Sequence, residues 1–176
     1  MTTLGGIPVT LSPVRLGFIF FVLLIQGCAT AGNNFVLIPD DALVLGQTTE
    51  EDIKSRQGPP YREAKRIQNS EEVSYVSYTY AKQSPATDTG VVATRSQGFW
   101  IFKGKLAGYA FSSSWPKEST NFDGGKVSQI KKGQSTRSDV VRLLGKPGGR
   151  YVYPMIPSTS GEAIAYLYIE SRYGER

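Results

Sequence analysis

No histidine occurs in these 176 residues, and cysteine occurs once. Without histidine there is no Ser-His-Asp or Cys-His catalysis, no His-based zinc site and none of the usual proton shuttling near neutral pH. A single cysteine excludes an internal disulfide, thiolate metal clusters and CxxC redox chemistry. Long apolar runs are missing as well. The stretch Leu16–Ile25 spans 10 residues, about half of the roughly 20 that a membrane-crossing helix needs. Charge is only mildly one-sided, with 20 Lys+Arg against 15 Asp+Glu. The pairs Lys103/Lys105 and Lys131-Lys132 sit in turn contexts, where solvated faces are the simpler reading than a nucleic-acid footprint.

What is present begins with an address. Arg15 is the lone charge ahead of Leu16–Ile25, and the run ends in Leu24-Ile25-Gln26-Gly27-Cys28. A short basic region, an apolar stretch of this length and a small residue before the cut are the parts of a signal peptide. Two other readings of the same residues are cleavage after Ala29 or Ala31, and a buried free cysteine in a cytosolic protein. From Cys28 onward 149 residues remain, enough to bury about 68–70% of the unfolded surface without disulfides.

The most informative feature is a self-similarity at a spacing of 87 residues. Gly46-Gln47-Thr48-Thr49-Glu50-Glu51-Asp52-Ile53 is echoed by Gly133-Gln134-Ser135-Thr136-Arg137-Ser138-Asp139-Val140, and the copies reach Gly58-Pro59-Pro60 and Gly145-Lys146-Pro147. Thr49 and Thr136 are N-cap residues with an acid three positions on, in capping-box spacing. Gly58 and Gly145 suit the left-handed stop, and the following proline prevents extension. Each copy therefore predicts a two-turn helix. Val140, Leu143 and Leu144 form an apolar stripe in the second, whereas Ile53 stands nearly alone in the first, so the first helix is expected to pack more loosely.

Strands follow. Arg62–Ile67 and Val73–Ala81 flank a hairpin turn at Asn69-Ser70, and Gly98–Phe102 and Leu106–Phe111 flank Lys103-Gly104-Lys105. Gln83–Gly90 reads as a loop and Ser112–Lys126 as a polar linker. Arg150–Tyr153 and Ala163–Ile169 supply two more strands.

The Leu24–Cys28 run resembles the lipobox of bacterial lipoproteins. That resemblance implies cleavage before Cys28, a thioether diacylglycerol and an N-acyl chain (commonly palmitate) on it, and outer-membrane anchoring facing the periplasm of a Gram-negative cell, since Ala29 is not the aspartate of inner-membrane retention. The capped helices with their Gly-x-Pro stops, and Phe102-Lys103-Gly104-Lys105-Leu106, resemble the BamE (SmpA/OmlA) family of outer-membrane lipoproteins. Two copies in one chain look like the tandem arrangement of β-lactamase-inhibitory proteins. The resemblance implies an α+β fold of tandem helix-then-antiparallel-sheet repeats, with short helices on one face of the sheet and a truncated second repeat. The corresponding division is a signal peptide over 1–27, a tether over 28–44, a first repeat over 45–114, a linker over 115–130 and a second repeat over 131–176.

Catalysis finds little support. Asp40-Asp41 and Glu50-Glu51-Asp52 read as solvation and helix-dipole complement, Lys131-Lys132 lacks the companions of a Ser-Lys dyad, and neither Lys103-Gly104-Lys105 nor Gly124-Gly125-Lys126 has phosphate-loop spacing. No cofactor, metal or nucleic acid is expected beyond the lipid on Cys28. The ten tyrosines fall largely in strands and have two readings, cross-strand packing or an aromatic face that docks a partner. Under the second, the candidates are Tyr78, Tyr80, Trp100, Tyr166 and Tyr168. The expected function is a non-enzymatic, protein-binding accessory or scaffold in cell-envelope (outer-membrane) assembly or maintenance. The alternatives are an inhibitor or small-ligand module that uses the sheet face and, more remotely, a cell-wall or lipid-processing enzyme.

Overall fold

The computed structural model describes residues 30–83 and 90–172; Cys28 and the signal-peptide run lie outside the described residues. The described residues build one eight-stranded sheet in which all pairings are antiparallel. Its elements are β1 (Thr30–Gly32), α1 (Glu50–Gln57), β2 (Arg62–Gln68), β3 (Glu71–Gln83), β4 (Val91–Phe102), β5 (Lys105–Ser113), α2 (Arg137–Leu144), β6 (Gly149–Tyr151), β7 (Ala163–Ala165) and β8 (Ser171–Arg172). The strand order is β1-β3-β4-β5-β6-β7, with β2 also on β3 and β8 also on β4.

This corrects the expected architecture. Tandem helix-then-sheet repeats do not form. β6 pairs with β5, so the strands that follow α2 extend the sheet that α1 already covers. The physical reason is length: β6 and β7 are three residues each, too short to make a sheet of their own. They are also shorter than Arg150–Tyr153 and Ala163–Ile169 suggested.

Local chemistry sets the turns. Asn69 and Ser70 have φ of 47° and 65°, and Lys103 and Gly104 have 49° and 75°. Two successive positive-φ residues form the tight hairpin turn whose twist matches that of the strands. Both helices carry a full capping box. Thr49 accepts from Asp52 N–H while Asp52 accepts from Thr49 N–H, and Thr136 and Asp139 do the same.

The pairing register assigns the two faces. Val76, Tyr78, Phe99, Tyr109 and Phe111 point to one side, where Phe35, Ile38 and Leu43 from the N-terminal segment and Ile53 from α1 complete the core. Ile53 is fully buried, while α2 has no buried residue. The expectation that α1 packs more loosely is thus reversed. A single β-branched residue aimed at a wide sheet is buried more completely than a three-residue stripe beside a narrow hairpin.

A buried polar clasp holds the covering segment. Gln97, with no exposed surface, accepts from Ile38 N–H (3.1 Å) and donates from Nε2 to the Ile38 carbonyl (2.8 Å). Its Oε1 also accepts from Gln57 Nε2 at 2.6 Å, which ties the last turn of α1 to the same point. Ser112 and Ser113, read as linker, are buried in β5. There Ser113 Oγ donates to Glu118 and accepts from Trp115 N–H.

Candidate binding surface

The face opposite α1 carries the clearest concentration of aromatic rings. Tyr75 of β3 stands opposite Trp100 of β4, Trp100 opposite Gly108 of β5, and Gly108 opposite Tyr151 of β6. Because all three rings leave the sheet on the same side, they form one row. Tyr75 and Trp100 have centroids 5.0 Å apart, and Trp100 and Tyr151 meet edge-on at 5.1 Å, within the range of favourable aromatic pairs.

Glycines beneath the rings let them lie close to the sheet. A Cβ on Gly108 would come within 2.4 Å of the Tyr151 ring, and one on Gly98 within 2.9 Å of the Tyr75 hydroxyl. Phe102 and Tyr153 continue the surface, edge to face at 6.0 Å. The Arg66 guanidinium lies 5.3 Å from the Tyr75 ring centre, a cation–π contact. Tyr75, Trp100 and Tyr151 are each half-buried. Burial, with the nearby Tyr75, raises the Tyr151 hydroxyl to about 12. It is therefore neutral at physiological pH and acts as a hydrogen-bonding tip on an apolar body.

A second feature lies on the α1 side, beyond the core. Tyr80 and Trp115 stack with planes 6° apart and centroids at 6.0 Å. With Asn34, Arg95, Pro116 and Glu118 they line an open cavity of about 470 Å³. Arg95 pairs with Glu118 at 3.0 Å and lies 4.6 Å from the Phe35 ring centre. Trp115 Nε1 is buried without a hydrogen-bond partner among the described residues.

The residues singled out from the sequence separate accordingly. Tyr78 is 2% exposed and donates its hydroxyl to the Gly58 carbonyl at 3.0 Å. It is a core residue and offers no contact to a partner docking on the surface, which corrects its place among the docking candidates. Tyr80 lines the Trp115 cavity. Trp100 is the centre of the aromatic row, with Phe99 fully buried on the opposite face. Tyr166 is half-buried and donates to the Gly145 carbonyl at 2.8 Å, and Tyr168 donates to Glu170 at 2.8 Å. The five residues therefore do not form one site.

Sequence reasoning missed Tyr75 and Tyr151 as companions of Trp100. Strand alternation alone places Tyr75 opposite in face to Val76 and Tyr78, but the pairing of β5 with β6 was needed to add Tyr151. Among the described residues, no three acidic or metal-ligating side chains are grouped closely enough to hold a metal ion. Of the paired acids, Asp52 caps α1, Glu50 pairs with Lys54 and Asp40 with Lys146. Asp52 and Asp139 are held below the usual carboxylate range, chiefly by the hydroxyls of Thr49 and Thr136.

No family model, curated protein or solved structure matches this chain.

Proposed function

We propose that this protein is a non-enzymatic lipoprotein of the outer membrane, anchored through lipid on Cys28, that binds another envelope protein through the Tyr75–Trp100–Tyr151 row. The observation that carries the reading is that row itself: three half-buried rings in register on neighbouring strands. Tyrosine and tryptophan are favoured as interface anchors because they bring large area at low entropic cost. A sheet fixes their spacing before any partner arrives. The anchor rests on the Leu24–Cys28 run. Acyl chains contribute about 0.8 kcal/mol per buried methylene, so two or three chains hold a protein durably at a bilayer.

The test is capture from detergent-solubilised envelopes by the full chain, compared with a Trp100→Ala/Tyr151→Ala variant of matched stability. Partners recovered by the wild type and reduced at least about tenfold by the variant, a difference near 1.4 kcal/mol, support the reading. Identical recovery by both contradicts it.

A second reading, small-ligand binding, is favoured by the Trp115 cavity. The Tyr80 and Trp115 rings that line it suit a planar, largely apolar ligand. Saturable change of tryptophan fluorescence, lost in Trp115→Phe, is its signature.

A further inference from the structure

The two capped-helix motifs share more than their sequence signature. Leu43 N–H donates to Asp40 O as Ile130 N–H does to Val127 O, and Thr48 N–H to Val44 O as Ser135 N–H to Lys131 O. Val44 N–H reaches the Thr48 hydroxyl as Lys131 N–H reaches that of Ser135, each at 2.9 Å. Phe35 packs on Tyr78 at 6.1 Å and Phe122 on Tyr166 at 5.6 Å. The two tyrosines bond the carbonyls of Gly58 and Gly145 that end the helices.

One component is present in the first motif and missing from the second. Gly46 N–H donates to Leu106 O and Leu106 N–H donates to Thr48 O, each at 2.8 Å, so the start of β5 is stitched to the turn before α1. Leu106 is fully buried in the cluster that holds Leu43 and Ile53. The matching groups of the second motif, Gly133 N–H and Ser135 C=O, have no partner among the described residues. Ile130, Val140 and Leu143 remain half-buried around an open groove of about 300 Å³. Among the described residues β7 is the last strand of the sheet, and none of them lies beyond it as β4 and β5 lie beyond β3.

We propose that this groove binds a β-hairpin of a second protein, which adds one strand to β7 and seats an apolar residue, flanked by an acidic one, where Leu106 sits in the first motif. This rests on the protein-binding reading and gives it a second site with a defined partner chemistry. Edge-strand addition supplies affinity through backbone bonds and specificity through side-chain pockets.

The charge requirement comes from comparing the motifs. Beside Leu106 stands Lys105, bridged to Thr49, and its positive charge acts on Asp52 of the acidic first turn. The second helix opens with Arg137-Ser138-Asp139, where Arg137 is paired with Glu162 and Asp139 with Arg142. Lys131 and Lys132 before it are exposed and form no ion pair among the described residues. The acidic turn of the first motif has no counterpart and the charges left unpaired here are basic, so an acidic flank complements this site as Lys105 complements the first.

The chain's own hairpin provides the probe: a synthetic peptide of residues 98–111 carrying Lys103→Glu and Lys105→Glu. Binding is followed by amide chemical shifts of the labelled full chain in mild detergent. The acidic peptide is expected to bind at least about tenfold more tightly than the unaltered one, to perturb Gly133, Ser135, Val140 and Ala163–Ala165, and to lose binding with Leu106→Asp. Lys131→Glu/Lys132→Glu in the protein is expected to invert the preference without altering shifts elsewhere. Equal affinity regardless of charge or of Leu106, or no binding by any peptide, overturns the proposal. Shifts confined to Tyr75, Trp100 and Tyr151 also overturn it, while leaving the aromatic-row reading intact.

Discussion

Replacing Gln97 by leucine tests how the N-terminal segment is held on the sheet. The side chains are similar in size, so the substitution removes polarity with little change in volume. Three hydrogen bonds disappear: two to the backbone of Ile38 and one from Gln57. Ile38 is 4% exposed, so its N–H and C=O are left with neither protein nor water. Each such stranded group costs about 1–3 kcal/mol. Gln57 is nearer the surface and recovers part of its bond with solvent. The expected loss is therefore about 3–5 kcal/mol, most of it from the Ile38 peptide groups. With a urea dependence near 2 kcal/mol per molar, the unfolding midpoint falls by roughly 1.5–2.5 M. Gln57→Ala serves as the control, with an expected loss of about 1 kcal/mol or less. A shift below about 0.3 M for Gln97→Leu would refute the claim that this amide, rather than apolar contact alone, fixes residues 35–39 over the core.

Ile53→Ala empties a fully buried position and is expected to cost about 2–5 kcal/mol, whereas Leu143→Ala, on a helix with no buried residue, costs about 1 kcal/mol or less; denaturation of both variants checks the contrast. Thr49→Ala removes a capping box from the helix that covers the core and is expected to lower global stability by about 1 kcal/mol. Thr136→Ala frays α2 alone, visible as faster amide exchange in Arg137–Leu144 with little change in the global midpoint. Glu162 lies between Arg150 and Arg137, which hold its carboxyl at about 2, Arg150 contributing most. A depressed folded-state pKa means that its stabilisation is present above the ordinary glutamate range and is lost as pH falls from about 4.5 toward 2. Glu162→Gln should flatten the acid limb of a stability–pH curve in that window and leave the region above pH 6 unchanged in slope. Cys28→Ser is expected to move the protein from the membrane fraction to the soluble one on fractionation.

The parts of this fold that the sequence reveals are those whose causes are local. Thr49 with Asp52 and Thr136 with Asp139 form caps within four residues, and Asn69-Ser70 and Lys103-Gly104 form turns within two. Their positions follow from backbone chemistry alone. The unread parts depend on distant partners. Thr94, Arg95, Ser96 and Gln97 fall before the strand expected at Gly98–Phe102, yet they lie in the long central strand β4, because β3 on one side and β5 on the other satisfy the backbone. Gln97 is a buried polar residue justified only by Ile38, 59 positions away. Whether the strands after α2 build a second sheet or extend the first turns on Gly108–Ala110 meeting Gly149–Tyr151, a contact with no local signature. The same contact brings Tyr151 beside Trp100, so the candidate surface was only partly legible. Tyr78 was misplaced for the opposite reason: it shares the face of Val76, and that alternation was already in the sequence.

The central proposal is a lipid-tethered sheet that grips another protein with its aromatic row. In-cell photocrosslinking from position 100, with position 65 on the exposed outer strand as control, tests this most directly. A discrete adduct with an envelope protein at position 100, absent at position 65 and abolished by Tyr151→Ala, is the predicted result. Equal adducts at both positions, or none at position 100 in membranes that contain the protein, would contradict it.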